Sequence, residues 1–145
     1  MSDPIELRDY DPLIREILAS GGEFRMYPHG VSMLPLIRQG RDSVALAALD
    51  APPRKNDILF YQREDGSYIL HRVKETAPEG LILWGDNQLE LERGILPTQI
   101  IGRVVRIFRD DREVNCAGLG YRGYVFFWQY RLFRRVIFRL RRFLN

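Results

Sequence analysis

Three side chains of the kinds that cooperate in nucleophilic catalysis occur at separate points of the sequence. Ser32 lies in a segment too rich in Gly and Pro for regular structure, His71 lies in a strand-like run, and Asp86 lies in a Gly-Asp-Asn turn. A serine hydroxyl needs a base to accept its proton, and that base usually needs an orienting partner. The sequence therefore offers Ser32 as nucleophile, His71 as base and Asp86 as partner, although such a set also arises by chance among turn residues.

Five short motifs surround these residues in a definite order. They are G-V-S-M-L-P (30–35), G-R-D-S-V (40–44), H-R-V (71–73), G-D-N (85–87) and I-I-G-R-V (100–104). In this order, and over roughly residues 24–108, they resemble the signal peptidase I family of the signal peptidase and LexA-like superfamily. The resemblance implies a serine endopeptidase that cleaves an extended signal or leader peptide of a preprotein, with Ser32 as its nucleophile. It also implies a small, coiled antiparallel β fold that is barrel-like.

The identity of the base separates two branches of that family. The bacterial branch carries lysine at the position of His71, whereas the archaeal and endoplasmic-reticulum branch carries histidine, followed by R-V or R-I. The resemblance to the histidine branch implies His71 as general base, with Asp86 as its orienting acid. Glu90 and Glu92 stay open as alternatives, because that branch carries more than one acid after G-D-N. Asp42 is expected to hold the loop behind the nucleophile.

A histidine base also carries an expected pH dependence. An ordinary histidine titrates near ~6.5, so it needs orientation and only a modest field to act as a base at neutral pH. The sequence therefore predicts that activity is lost below roughly pH 6, as His71 becomes protonated. His29 lies three residues from Ser32 and is a competing base, although a neighbour at that spacing usually points away along the turn.

The residues around Ser32 are expected to bind the substrate. The bacterial branch often has a serine at the position of Gly30, so here the oxyanion hole would consist of backbone N–H groups, including that of Ser32. Met33 and Leu34 would line a shallow pocket for small side chains. The binding positions that follow from the resemblance are Gly30, Val31, Met33 and Leu34.

The elements that must position these residues follow from the hydrophobic pattern. Helical spacing predicts a helix over residues 9–20, with Asp11 as its cap and Pro12 at its first position. Short apolar runs bounded by Gly, Pro, Asn or Asp predict five strands over residues 44–49, 58–61, 68–73, 81–84 and 100–108. The fold class is therefore mainly β with a helix at each end. The segments are a helical region (1–22), a catalytic β domain (23–117) and a glycine hinge with a basic helix (118–145).

Composition excludes several classes of protein. The 145 residues suit one domain, and a hydrophobic fraction of 46% with 28% charged residues is that of a globular chain. Cys116 is the single cysteine, so no internal disulfide can form, and it reads as an inert hydrophobe. With only two histidines besides, we expect no metal or cofactor. We also expect no membrane-spanning helix and no signal peptide, hence a peripheral membrane or cytoplasmic protein.

The C-terminal segment differs sharply from the rest. Residues 121–145 hold seven arginines, no acid and nine of the 17 aromatic residues, whereas the first 120 residues hold 15 basic and 19 acidic residues. On a helical wheel the arginines occupy one face together with Phe138, and the other apolar residues occupy the opposite face. This pattern is typical of a helix that lies on an anionic membrane surface. The membrane-contacting residues we expect are Trp128, Arg131, Phe133, Arg134, Arg135 and Arg139.

Other interpretations of the same features stay open. The basic helix could pack its apolar face on the β domain or on another copy, whereas nucleic acid is a less suitable partner because many aromatics fall on the apolar face. The enzyme could be a maturation protease dedicated to one leader peptide or partner. The chain could also be a non-catalytic descendant that only binds peptides or membranes.

Overall fold

The computed structural model describes residues 7–144, apart from the side chain of Arg131. Within that range the chain forms three α-helices, eight β-strands and a short 3-10 helix at Pro97–Gln99. The helices are α1 (Leu7–Ala19), α2 (Leu119–Trp128) and α3 (Arg131–Leu144). The strands are β1 (Phe24–Met26), β2 (Asp42–Ala47), β3 (Ile58–Gln62), β4 (Tyr68–Ala77), β5 (Gly80–Trp84), β6 (Glu92–Ile95), β7 (Ile100–Arg109) and β8 (Arg112–Glu113).

The strands form one antiparallel sheet in the order β1-β2-β7-β3-β4-β5-β6, with β8 paired to β7. In the described chain β1 and β6 do not pair with each other, so the sheet is open. The prediction of a mainly antiparallel β protein with a short N-terminal helix is confirmed, and the barrel-like coiling stays a prediction. The five predicted strands correspond to β2, β3, β4, β5 and β7. The other three strands have two to four residues each, too few to carry a clear alternation.

The centre of the sheet is buried on both faces. In β3, Phe60 belongs to one apolar cluster, whereas Leu59 and Tyr61 belong to a second cluster on the other face. Ile14 and Leu18 of α1 join the first cluster, so α1 covers that face. Burying a large apolar side chain contributes about 1.5–3 kcal/mol, and a slip of one residue would exchange the two faces. The core therefore fixes the register that positions the site.

The N-terminal helix begins earlier than the sequence predicts. The chain is already helical at Leu7, so Pro12 lies inside α1 and not at its first position. The interpretation of Asp11 as a cap was wrong, because its carboxylate accepts hydrogen bonds from Arg15 and from Oη of Tyr68. Leu7 packs against the first apolar cluster, and this contact favours the additional N-terminal turn.

The C-terminal segment contains two helices where the sequence predicts a glycine hinge and one helix. The glycine-rich stretch 118–123 is largely helical, because α2 begins at Leu119. A glycine inside a helix costs about 1 kcal/mol relative to alanine. The burial of Val125 and Trp128 offsets that cost by packing α2 on the body of the protein. The chain then breaks at Gln129 and Tyr130 before α3 begins.

Candidate functional site

The loop that carries Ser32 is held by its own apolar residues. Met33 and Ile37 are buried in the first apolar cluster, and the N–H of Ile37 donates to the carbonyl of Met33 at 2.9 Å. Gly30 adopts a φ of 91°, a conformation that favours glycine, and its N–H donates to Oε1 of Gln39 at 2.7 Å. Ser32 itself is only partly exposed. The buried residues of the loop thus hold its backbone in place, and Ser32 is partly exposed beside them.

Asp42 fixes the end of this loop, as the sequence predicts. Its carboxylate accepts the backbone N–H of Arg38 at 2.8 Å and two hydrogen bonds from the guanidinium of Arg41. Burial alone would raise the pKa of Asp42, but the hydrogen bonds from Arg41 and Arg38 outweigh burial and hold it below its ordinary value. The carboxylate therefore stays charged and ties the loop to the start of β2.

The Ser32 loop packs directly on the Gly-Asp-Asn turn. The N–H of Asn87 donates to the carbonyl of Ser32 at 2.9 Å, and Nδ2 of Asn87 donates to the carbonyl of Val31 at 3.1 Å. A methyl group added at Gly85 would overlap the carbonyl oxygen of Ser32. Two motifs that lie more than 50 residues apart in the sequence are thus joined through their backbones.

His71 is buried in β4, and its Nδ1 faces a polar network. Oη of Tyr61 lies 3.3 Å from Nδ1, and Oε2 of Glu92 lies 3.8 Å from it. Tyr61 donates its hydroxyl proton to Glu92 at 2.7 Å. The guanidinium of Arg63 donates two hydrogen bonds to the same carboxylate, at 2.8 and 2.9 Å. Tyr61 and Glu92 therefore lie at one edge of the imidazole, and Arg63 holds Glu92 in place.

This network selects a tautomer of His71. Because the single hydroxyl proton of Tyr61 is donated to Glu92, the Tyr61 oxygen is left to accept a hydrogen bond from the N–H at Nδ1 of His71. The neutral ring then carries its lone pair on Nε2, the nitrogen that a general base uses. Burial lowers the pKa of His71 to about 4, although the charge of Glu92 opposes that shift. The ring is consequently neutral at physiological pH.

Glu92, one of the alternatives left open by the sequence, is thus the acid beside His71. Burial acts to raise its pKa, but the hydrogen bonds from Arg63 and Tyr61 outweigh burial and keep the pKa below its ordinary value. The register explains the placement. Val73 pairs with Leu83, and Leu83 pairs with Glu92, so all three lie on the face of the sheet that His71 occupies.

Asp86, in contrast, does not orient His71. The guanidinium of Arg72 donates two hydrogen bonds to its carboxylate, at 2.8 and 2.9 Å, and Oη of Tyr124 donates a third at 2.8 Å. No hydrogen bond links Asp86 to His71 in the described part of the chain. The prediction fails at this contact because Arg72 and His71 are neighbours in a strand and point to opposite faces.

Arg134 of α3 completes the cluster around the turn. Its Nη1 donates to the carbonyls of Gly85 and Gln88, each at 2.8 Å, and its Nε donates to the carbonyl of Trp128. The guanidinium also stacks on Trp84, with 3.3 Å from Cζ to the ring centroid. Burial lowers the pKa of Arg134 to about 10. Arg134 therefore clamps the C-terminal helices to the turn that supports Ser32.

Ser32 and His71 border two different cavities. Ser32 borders a cavity of about 130 Å³ together with Met33, Tyr68, Ile69, Leu70 and His29. His71 borders a larger cavity of about 580 Å³ together with Asn87, Glu92 and Phe138. No hydrogen bond joins Oγ of Ser32 to His71 within the described residues. The two are connected through β4 and through Asn87, which contacts the Ser32 loop and lines the cavity of His71.

The remaining predicted residues are distributed as follows. His29 and Glu90 are exposed, and so is Val31. Burial raises the pKa of the Cys116 thiol, which keeps it protonated and unreactive. Of the expected membrane contacts, Arg135, Arg139 and Phe133 are exposed, whereas Trp128 and Arg134 are buried. The side chain of Arg131 lies outside the described residues.

Several residues of the site were missed at the level of the sequence. They are Tyr61, Arg63, Arg72 and Tyr124. The sequence held one signal for Arg72. Consecutive strand residues point to opposite faces, so His71 and Arg72 could not both face the same acid. The hydrogen bond from Tyr124 carried no such signal, since it depends on how α2 packs.

The comparisons with known proteins add no assignment: no family model, no curated protein and no solved structure matches this chain. None of the helices within residues 7–144 has both the length and the hydropathy needed to cross a membrane. In the same range, no group of three or more His, Cys, Asp or Glu side chains is arranged to hold a metal ion. The function must therefore be argued from the site.

Proposed function

We propose that this chain is a serine endopeptidase of the signal peptidase I type, with Ser32 as nucleophile and His71 as general base. The observation that carries the proposal is the oriented imidazole. Its Nδ1 faces Tyr61 and Glu92, its Nε2 is left to take a proton, and its strand borders the cavity that holds Ser32. We also propose that the open antiparallel sheet has the coiled, barrel-like fold of that superfamily.

The proposed reaction begins with attack of Oγ of Ser32 on the scissile carbonyl carbon, while Nε2 of His71 takes the hydroxyl proton. The tetrahedral oxyanion is stabilised by backbone N–H groups. Among the described residues, the N–H groups of Ser32 and Met33 donate to no other group, so both are free for that role. Each such donor contributes about 3 kcal/mol to transition-state stabilisation in comparable hydrolases.

The second half of the reaction returns the proton. The protonated His71 donates from Nε2 to the leaving amine as the carbon–nitrogen bond breaks. Water then attacks the acyl-enzyme while His71 accepts its proton. His71 passes this proton to Oγ of Ser32 as the ester bond breaks and the carboxylic acid product leaves. Glu92 stabilises the transient imidazolium, because its carboxylate lies 3.8 Å from Nδ1 of His71. No metal or cofactor takes part in any of these steps.

When a substrate binds, we expect Oγ of Ser32 and Nε2 of His71 to move into hydrogen-bond distance of each other. Catalytic hydrogen bonds are often long before substrate binds. A small substrate side chain fits the cavity of about 130 Å³ beside Ser32. The peptide would continue past Asn87 into the larger cavity beside His71, which is lined by Leu83, Leu89 and Leu91. We therefore expect specificity for a small residue next to the cleaved bond.

The experiment is a digestion of a proteome-derived peptide library, read by mass spectrometry, with wild type, Ser32→Ala and His71→Ala. We expect cleavage by wild type, none by either variant, and an acyl adduct on the Ser32 peptide after rapid acid quench. Ser20→Ala, which changes an exposed serine at the end of α1, is the matched control and should cleave like wild type. Cleavage that persists in Ser32→Ala or His71→Ala would refute the proposal, and peptide binding with no cleavage by wild type would favour the non-catalytic alternative.

A further inference from the structure

The C-terminal helix α3 docks on the protein through its arginine-bearing side. Arg134 is fully buried against the turn at 85–88, and Phe138 lines the cavity beside His71. An amphipathic helix that served only to complete a core would bury its apolar face instead. Here that apolar face remains exposed, with Leu132 at 74%, Val136 at 49% and Leu140 at 55% of their full accessibility.

The exposed apolar surface continues from α3 onto α2. Phe127 of α2 lies against Phe133 of α3, with 6.1 Å between the ring centroids. Phe126 contacts both Phe127 and Tyr130 through edge-to-face rings. Of the 16 exposed large hydrophobic residues in the described chain, ten lie within α2, α3 and their junction. They are Leu119, Phe126, Phe127, Tyr130, Leu132, Phe133, Val136, Leu140, Phe143 and Leu144. We call this surface the C-terminal apolar face.

The charge beside this face has a single sign. Arg135, Arg139 and Arg142 are exposed, and residues 114–145 contain no Asp or Glu. On the helical wheel these arginines lie next to Leu132 and to the rest of the apolar face. The patch is thus apolar at its centre and basic along one side, and monomeric soluble proteins seldom expose a large patch of this kind.

We propose that the C-terminal apolar face docks in the interface of an anionic lipid bilayer. A bilayer satisfies both features, since its acyl region takes the apolar side chains and its headgroups attract the arginines. A second copy of this chain would bring the same arginines to the same face, so a symmetric pair would place like charges together. The proposal goes beyond the peptidase function and does not rest on it.

The helices that carry the C-terminal apolar face also contact the turn beside the proposed active site. Tyr124, Trp128 and Arg134 all bond to the turn at 85–88, the same turn that holds the Ser32 loop. Phe138 lies on the same helix as the apolar face and also borders the cavity of His71. A bilayer bound to α2 and α3 would therefore face the side of α3 opposite Phe138, so the thickness of one helix would separate it from the cavity of His71.

The test is sedimentation of the full chain with phosphatidylcholine vesicles, with and without phosphatidylserine. Wild type should bind the anionic vesicles much more tightly than the neutral ones. A basic side chain near an anionic surface strengthens binding about fivefold, so Arg135→Gln with Arg139→Gln should weaken binding about twenty-fivefold. Val136→Glu with Leu140→Glu should abolish it. Val105→Glu, at a comparably exposed apolar residue of β7, is the matched control and should bind like wild type.

Two results would overturn the proposal. One is equal binding by wild type and the Val136→Glu, Leu140→Glu variant. The other is no vesicle binding by wild type together with a dimer in light scattering that the same variant converts to monomer, because the face would then belong to a protein interface. Circular dichroism confirms that each variant is folded. Ser32→Ala should bind vesicles like wild type, so this result is independent of whether the peptidase proposal holds.

Discussion

Tyr61 donates its hydroxyl proton to Glu92 and presents its oxygen to Nδ1 of His71. The hydroxyl group of Tyr61 thus links the carboxylate of Glu92 to the imidazole of His71 by hydrogen bonds, and it fixes the tautomer of the ring. Burial and the neighbouring carboxylate both raise the pKa of Tyr61, so it remains protonated throughout the neutral range. This relationship assigns the orienting role to a pair of residues, where the sequence points to a single acid.

Removing this hydroxyl tests the role of Tyr61. In Tyr61→Phe, Nδ1 of His71 loses its acceptor, so the productive tautomer is no longer selected. We expect kcat to fall at least about tenfold with little change in KM. Steady-state kinetics on a cleaved library peptide measures both constants. Tyr10→Phe, at an exposed tyrosine of α1, is the control and should leave kcat unchanged.

Substituting each acid separates catalysis from stability. In Glu92→Gln the amide cannot stabilise the imidazolium, so we expect a fall in kcat with the fold retained. In Asp86→Asn the buried guanidinium of Arg72 loses its counterion, so we expect a loss of about 3–5 kcal/mol in the free energy of unfolding. Urea unfolding and kinetics on both variants provide the measurements. A stable but inactive Asp86→Asn variant would instead restore Asp86 as the orienting acid.

The buried histidine predicts a pH-dependent stability. Burial lowers the pKa of His71 from 6.5 to about 4, so the unfolded chain binds a proton that the folded chain does not over this range. Its contribution to stability is complete above pH 6.5 and is lost as the pH falls toward 4, by about 3 kcal/mol. Urea unfolding measured across this range should show the loss in wild type and in the surface variant His29→Gln, and His71→Gln should lack it.

The same shift changes the expected activity profile. The ordinary histidine pKa predicts loss of activity below roughly pH 6. Because burial lowers the pKa of His71 to about 4, we expect kcat/KM to hold down to that region and to fall below it. A pH profile of kcat/KM on a cleaved peptide measures this directly. An acid limb near 6.5 would show that His71 is more hydrated in solution than in this structure.

The sequence predicts which segments form the long strands and which motifs lie near each other. It does not predict the individual side-chain contacts of the site. Short apolar runs bounded by turn residues were enough to predict β3 and β4, because each strand contains four consecutive buried residues. The motif order indicates that the Ser32 loop and the G-D-N turn belong to one region, and their backbones are hydrogen-bonded. The choice between Asp86 and Glu92 depends on register, and the pairings of β5 have irregularities that no spacing rule reveals.

The C-terminal helix illustrates a second limit of sequence interpretation. Its amphipathic pattern is correct, and α3 is the helix that the pattern predicts. The wheel assigns Arg134 to the solvated face, yet this side chain is buried and stacked on Trp84. Nε and Nη1 of Arg134 donate to carbonyl groups of the body and of α2. These contacts depend on how the helix packs on the body, which the periodicity of the segment does not encode.

The contact between Gly85 and the Ser32 loop yields a further prediction. In Gly85→Ala the added methyl group overlaps the carbonyl of Ser32, so the loop must shift and the nucleophile with it. We expect a loss of activity larger than the loss of stability, measured by kinetics and thermal unfolding. Gly120→Ala is the control, because its methyl group meets nothing within 4 Å in α2, and it should stabilise the protein by about 0.5–1 kcal/mol. Full activity in Gly85→Ala would show that the contact between Gly85 and the Ser32 loop is not needed for catalysis.

The last prediction concerns Arg134, because its guanidinium holds the C-terminal helices on the turn at 85–88. Arg134→Met would remove the hydrogen bonds to the carbonyls of Gly85, Gln88 and Trp128, so we expect a loss of about 2–4 kcal/mol in the free energy of unfolding and faster amide exchange across α2 and α3. Arg134→Lys keeps the charge but lacks the planar fork that bonds and stacks at once, so it should not restore protection. Arg139→Met, exposed on the same helix, should exchange like wild type. If Arg134→Met left exchange in α2 and α3 unchanged, apolar packing alone would hold these helices, and the guanidinium would not be the clamp.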